Sequence, residues 1–300
     1  MPAKCALRRM EPERYYGRYC PSMAVQNRNG GILIPEKSDT RVSVSSPRDE
    51  PPLEAIDRRF SFERSAILLD IDGTLLDLAP TPAGVLVPSS LQASLLSLWK
   101  WTGGALALVS GRALSDIDRV FAPIDLPAIG GHGAEIRPLV TDEKVVRRPL
   151  PLVDERLRRR VLALGAPGIL IEDKGYSLAV HYRLAPERAP SLRKAIAEIT
   201  HELESGTYEI LPGKAVVEIK PTGFNKGSAV LELMEMEPFK GRTPIFVGDD
   251  VTDEAVFAIL PDINGIGISV GSVMTGARAV FDTPADVRAW LKRLAARAPE

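Results

Sequence analysis

The chain has 300 residues, 45% hydrophobic and 26% charged, with 38 Lys and Arg against 39 Asp and Glu. This supports one large or two modest domains around a sizeable core, and the even charge gives no argument for a nucleic-acid or membrane-surface binder. No apolar run is long enough to span a bilayer, no apolar h-region follows the charged start, and Cys5 and Cys20 are too few for a disulfide framework, so a cytoplasmic setting is expected.

Residues 1–60 read as a disordered extension. They hold scattered Arg, Pro, Ser and Gly without an apolar period, and Pro51-Pro52 mark their end. Tyr15, Tyr16 and Tyr19 belong to this tail. A strand is expected over 65–70, inside the stretch AILLDIDGTLLD at 66–77. Its unbroken apolar run suits a strand buried on both faces of a parallel sheet. The run stops at Asp70 and Asp72, at the carboxyl edge where open α/β sheets bind ligands. Packing offers no reason for two acids there, because desolvating an unpaired carboxylate is costly. Gly73 permits a turn that faces both acids into one cavity. Asp70 then suits a metal-bound nucleophile. Asp72 suits a general acid and base, since a carboxyl beside an anion holds its proton longer.

Residues 75–88, rich in Pro and Gly, read as a flap beside the site. Ser89 or Ser90 can cap a helix with Leu91, Leu95, Leu96 and Leu98 on its apolar side, ended by Gly103-Gly104. A buried strand over 105–109 stops at Ser110-Gly111-Arg112. Ser110 can cap the next helix, and a helix N-terminus also favours an anion. A strand near 127–130 leads to the turn Gly131-His132-Gly133-Ala134-Glu135.

From 137 to 219 the pattern changes to short strands near 145–150, 169–173, 176–183, 207–211 and 214–219, with helices near 153–164 and 187–204. This is the pattern of an inserted α/β cap, an antiparallel sheet with two helices on one face. Glu172-Asp173-Lys174-Gly175 reads locally as a solvated turn, and His181 as a packing residue. Lys226 opens a helix against the helix dipole, a cost that points to a purpose; Lys220, near a strand end, is the alternative. A strand over 244–248 stops at Asp249-Asp250-Val251-Thr252-Asp253-Glu254, acids that can also favour the start of a helix over 253–260. A strand over 265–270 and a helix over 284–296 complete the chain, the latter with Val287, Trp290, Leu291 and Leu294 on its core face.

Four ordered motifs, DIDGTLLD at 70–77, SGR at 110–112, Lys226 and GDDVTDE at 248–254, resemble those of the haloacid dehalogenase-like (HAD) phosphatases. The resemblance implies an α/β fold: a doubly wound, mostly parallel, Rossmann-like core over 61–136 and 220–300, with an inserted α/β cap over 137–219. It implies that Asp70 attacks phosphorus and that Asp72 protonates the leaving oxygen and later activates water. Ser110 and Lys226 would hold phosphoryl oxygens. Mg2+ would lie on Asp70, the Asp72 carbonyl and Asp249, with Asp250 a ligand through water or, like Asp253, a brace for Lys226; which of Asp249 and Asp250 is the direct ligand stays open.

Three further strings, HGAE at 132–135, EDKGYSLAVHYR at 172–183 and GKAVVEIKP at 213–221, resemble the trehalose-6-phosphate phosphatases of that superfamily. There a cap Lys and a cap Glu, here Lys174 and Glu218, hold glucose hydroxyls. Gly111, Arg112, His132 and Arg137 are further candidate substrate contacts. The expected activity is Mg-dependent hydrolysis of trehalose 6-phosphate to trehalose and phosphate through an aspartyl-phosphate. The alternatives are another sugar-phosphate phosphatase of the superfamily, or a phospho-receiver or regulatory module that labels without turnover. The expected partner is a small sugar phosphate, with no nucleic acid and no membrane.

Overall fold

The structure is a computed structural model that describes residues 53–79, 85–139, 146–147, 152–202 and 206–297. The expected extension up to Pro52, with its three tyrosines and both cysteines, lies outside the described residues. Residues 53–59 correct that expectation. They form helix α1 (Leu53–Arg59), and Leu53, Ile56 and Phe60, three and four apart, pack on the core. Seven residues among charges are too few for that period to stand out in the sequence.

The remaining elements follow in order: β1 (Ser65–Leu69), α2 (Ser89–Trp101), β2 (Leu106–Val109), α3 (Leu114–Phe121), β3 (Ala128–Gly130), β4 (Glu135–Arg137) and β5 (Val146–Arg147). Then come α4 (Glu155–Leu162), β6 (Leu170–Asp173), β7 (Leu178–His181), α5 (Ala189–His201), β8 (Tyr208–Gly213) and β9 (Val216–Pro221). The chain closes with α6 (Lys226–Met234), β10 (Thr243–Gly248), α7 (Glu254–Ile259), β11 (Ile266–Val270), β12 (Ala279–Phe281) and α8 (Pro284–Ala295).

An eight-stranded sheet runs in the order β12-β11-β10-β1-β2-β3-β4-β5, and a four-stranded sheet in the order β6-β7-β9-β8. The large sheet is parallel from β12 to β3 and antiparallel at β4 and β5. The small sheet is antiparallel throughout. Strand β1 explains the layering. Ile67 and Leu69 point into one apolar cluster with α1, α2, α3 and α8, while Ala66 and Leu68 point into another with α6 and α7. Alternate residues of a strand face opposite sides, so a wholly apolar strand requires cover on both faces.

Two local expectations change. The strand near 145–150, expected in the inserted segment, supplies β5, which pairs with β4 at Glu135↔Arg147. The chain folds back on the open edge of the large sheet before leaving it, one way of covering exposed edge hydrogen bonds. Neither Ser89 nor Ser90 caps α2; Pro88 precedes it in extended conformation, with no side-chain cap.

Candidate active site

Strands β1 and β10 are neighbours, and the chain winds outward from them in both directions, through β2 and β3 on one side and β11 and β12 on the other. Their carboxyl ends mark the switch point where open α/β sheets leave a crevice. Asp70 follows β1 directly, and its N–H donates to Val247 O at 2.9 Å. Asp249 follows β10. Gly73 lies between them with φ +89°, and a Cβ there would stand 2.1 Å from Asp249 Oδ2. Thr74 Oγ1 donates to Asp249 Oδ1 at 3.0 Å.

Lys226 enters from the first residue of α6, whose N-terminus is capped reciprocally by Asn225 and Ser228. Its Nζ donates to Asp70 Oδ1 and to Asp253 Oδ1, both at 2.7 Å. The other Asp253 oxygen accepts the N–H groups of Asp249 at 2.9 Å and Asp250 at 3.1 Å. The alternative Lys220 is turned away. It pairs with Glu209 and with Phe224 O, over the Phe224 ring.

Burial pushes the Asp70 carboxyl well above its ordinary pKa; Lys226 opposes the shift, while Asp253 and Asp249 add to it. Burial also raises Asp249, against the nearby Lys214 ammonium. For Lys226 burial acts downward, but Asp253 and Asp70 outweigh it and hold the pKa well above the usual lysine range. One carboxylate oxygen each from Asp70, Asp249 and Asp253 lie within 4.8 Å of one another. Three buried carboxylates, two of them on the Lys226 ammonium and the third on Thr74 and Lys214, form an all-oxygen donor set that fits a hard divalent cation. Asp250 is not in this group. It is extended, so its side chain turns opposite to that of Asp249, and it accepts Val251 N–H at 2.7 Å to start a short turn.

The walls come from the neighbouring loops. Asp72, expected beside an anion, instead receives Arg112 Nε and Nη2, both at 2.6 Å. Ser110 is buried and accepts Arg112 N–H at 3.2 Å rather than capping α3, whose first N–H, on Leu114, goes to Glu135 at 2.9 Å. Gly111 is required by a close approach, because a Cβ there would stand 2.3 Å from His132 Nε2. His132 turns with φ +55° and brings Nε2 to 2.8 Å from Glu218 Oε2. Arg137, expected as a substrate contact, is not on this wall. It binds Asp118 of α3 at 2.6 and 2.9 Å and Leu126 O at 2.9 Å, as a buttress behind β4.

The roof is the small sheet. Leu178, Val180, Val217 and Ile219 pack on α4 and α5, so period two turns Ala179, His181, Val216 and Glu218 to the cavity, which they line. Glu218 accepts Ser177 Oγ at 2.8 Å and Lys174 Nζ at 3.1 and 3.2 Å. Burial alone would raise the Glu218 pKa, but Lys174 and His132 outweigh it and hold it well below the usual carboxylate range. Lys174 also donates to Gly111 O at 2.9 Å, tying roof to wall.

One cavity therefore gathers Asp70, Asp72, Ser110, Gly111, Arg112, His132, Lys174, Glu218, Lys226 and Asp250, with Asp249 and Asp253 buried at its floor. Among the charged and imidazole groups that line it, sequence reasoning did not assign Asp116, Glu172, His181, Arg183 or Lys214 to the site. His181, expected to pack, bonds Glu172 at 3.2 Å, and that bond lowers the Glu172 pKa against its burial. The alternation with Ile171, Leu178 and Val180 would have placed Glu172 and His181 on the cavity face.

A carboxylate pair at the end of a central parallel strand, joined by a lysine and a second strand-end acid beneath an antiparallel roof, defines a HAD-type phosphatase architecture. The trehalose-phosphatase family model matches residues 68–285. The chain is 45% identical to a Sinorhizobium fredii protein named "probable trehalose-phosphate phosphatase", over 73% of this chain and 82% of that one. It is 36% identical to the Escherichia coli trehalose-6-phosphate phosphatase, over 76% of this chain and 86% of the relative. Its fold is similar to that of the Candida albicans trehalose-6-phosphate phosphatase C-terminal domain, with TM-score 0.69 and 24% identity over 79% of this chain and 93% of that one. The chain belongs to the trehalose-phosphatase family.

Proposed function

We propose that the chain hydrolyses trehalose 6-phosphate to trehalose and inorganic phosphate, through an aspartyl-phosphate on Asp70. The observation that carries this reading is the single cavity in which a buried Asp–Lys–Asp floor meets a roof of Lys174, Glu218, Glu172 and His181. The floor suits a phosphoryl group and the roof suits sugar hydroxyls, which are read by fixed donors and acceptors. Membership of the family supports trehalose as the sugar.

Asp70, Asp249 and the Asp72 carbonyl are the groups we assign to a magnesium ion, with Asp253 behind them and Asp250 acting through the turn it starts. Bound there, the ion supplies charge stabilisation to the phosphoryl oxygens. Asp70 attacks phosphorus in line, and the phosphorus–sugar oxygen bond breaks. Asp72, protonated once substrate displaces one of its two Arg112 bonds, gives that proton to the departing sugar oxygen, then takes one from the water that splits the aspartyl-phosphate. Lys226 and Ser110 hold phosphoryl oxygens, and the preset Lys226 contact costs no reorganisation at the moment of reaction. Arg112 orients Asp72. The segment 137–219, whose later part forms the small sheet and its two helices, acts as the cap that excludes water.

The test is multiple-turnover phosphate release across a panel of trehalose 6-phosphate, glucose 6-phosphate, sucrose 6-phosphate and an aryl phosphate. A preference for trehalose 6-phosphate of at least tenfold in kcat/KM is expected. Preference for another sugar phosphate would move the assignment within the superfamily, and stoichiometric labelling without release would move it to a receiver.

A further inference from the structure

Asp249 has two oxygens with different partners. Oδ1 accepts Thr74 from the core, and Oδ2 accepts the Lys214 ammonium from the small sheet. Lys214 lies in the two-residue turn between β8 and β9, where Gly213 pairs with Val216 and Ala215 takes φ +63°. The turn is pressed against the floor, since a Cβ on Gly213 would stand 3.3 Å from Asp250 Oδ2. Its backbone is held from the small sheet, with Tyr182 N–H donating to Ala215 O at 3.0 Å and Arg183 Nη2 to Lys214 O at 3.1 Å. The aspartate side chain is fully buried, whereas the lysine side chain is 47% exposed and free to swing into the cavity it lines.

Asp249 is also one of the three acids grouped at the floor. A divalent cation and an ammonium make opposing demands on the same carboxylate, because both need its negative charge on the same side. We propose that Lys214 and the metal compete for Asp249, so that Lys214 docks the β8–β9 turn on the floor in the metal-free chain and releases it when the ion binds. Metal loading then frees a cation at the cavity wall and loosens the roof over the site that is to receive substrate. The inference rests on the assignment of the metal to Asp70 and Asp249 made above.

The test is isothermal titration of Mg2+ into the full chain and into Lys214→Met, without substrate. It is paired with hydrogen exchange of the 208–221 peptide with and without Mg2+. Removing the competitor should tighten Mg2+ binding roughly three- to tenfold, the scale of a half-exposed ion pair. In the parent chain Mg2+ should raise exchange in 208–221; in Lys214→Met exchange should already be raised and not respond. Lys214→Gln should behave like the methionine variant. Equal or weaker affinity in the variants overturns the proposal, as does tighter binding with an unresponsive turn in the parent, which would mean through-space repulsion alone. If neither protein binds Mg2+, the metal assignment falls and takes this inference with it.

Discussion

Asp253 makes no direct contact with a substrate in the proposed reaction, yet the floor is built around it. Its side chain is fully buried; Oδ1 accepts Lys226 Nζ, and Oδ2 accepts the N–H groups of Asp249 and Asp250. All three partners are donors, so both oxygens must accept. Asp253→Asn keeps the shape but replaces one oxygen with an amide NH2 that faces a donor in either orientation. The change leaves Lys226 short of a charged partner or leaves two buried N–H groups unsatisfied. Removing one member of a buried pair costs about 3–5 kcal/mol, and the remaining Asp70 contact of Lys226 keeps the expected loss near 3 kcal/mol. For a domain of this size that is a fall of about 6–12 °C in Tm. Because Lys226 loses one of its two anchors, kcat should fall about a hundredfold. Urea unfolding at matched m, thermal melting and phosphate release measure the three quantities. A variant within about 0.5 kcal/mol of the parent and with unchanged kcat would refute the structural role given to Asp253.

Asp70→Asn should retain the fold, since the amide keeps the shape and its oxygen can still accept Lys226, and should abolish phosphate release; substantial residual turnover would remove Asp70 from the nucleophile role. Lys174→Ala should lower kcat/KM for trehalose 6-phosphate more than for a small aryl phosphate, and equal losses on both would count against a sugar contact from the roof. Glu218→Gln should change acid stability with a definite sign. The folded-state pKa of Glu218 is depressed, so its contribution is complete above the unfolded value of about 4.3 and is lost as pH falls through the folded value. The stability difference between parent and variant should therefore be full at pH 7 and shrink below about pH 4; a constant difference at both would contradict the pairing of Glu218 with Lys174 and His132.

The floor was legible because its signal is local. An apolar run that stops on acids marks a buried strand and its carboxyl edge, and this holds for Asp70 after β1 and Asp249 after β10. The cost of a lysine at a helix start likewise pointed to Lys226. The choice between Asp249 and Asp250 was not legible, because it depends on which of two successive extended residues faces β1. Arg137 was misplaced for a similar reason: its partner Asp118 lies on α3, and that α3 packs beside β4 is a matter of tertiary arrangement that no local pattern carries. Residues of the roof were hidden behind turn chemistry. Glu172 and Lys174 look like solvated charges of a hairpin, and only their position over the floor gives them a cavity to face. Lys214 was passed over because its partner is thirty-five residues away on another sheet.

The most direct test of the central claim is acid-quenched single turnover with trehalose 6-phosphate labelled in its phosphate, followed by peptide mapping. Label is expected on the peptide containing Asp70, rising and decaying at rates that account for phosphate release, and absent in Asp70→Asn. Full turnover with no label on that peptide, or label on a different residue, would contradict an aspartyl-phosphate at Asp70.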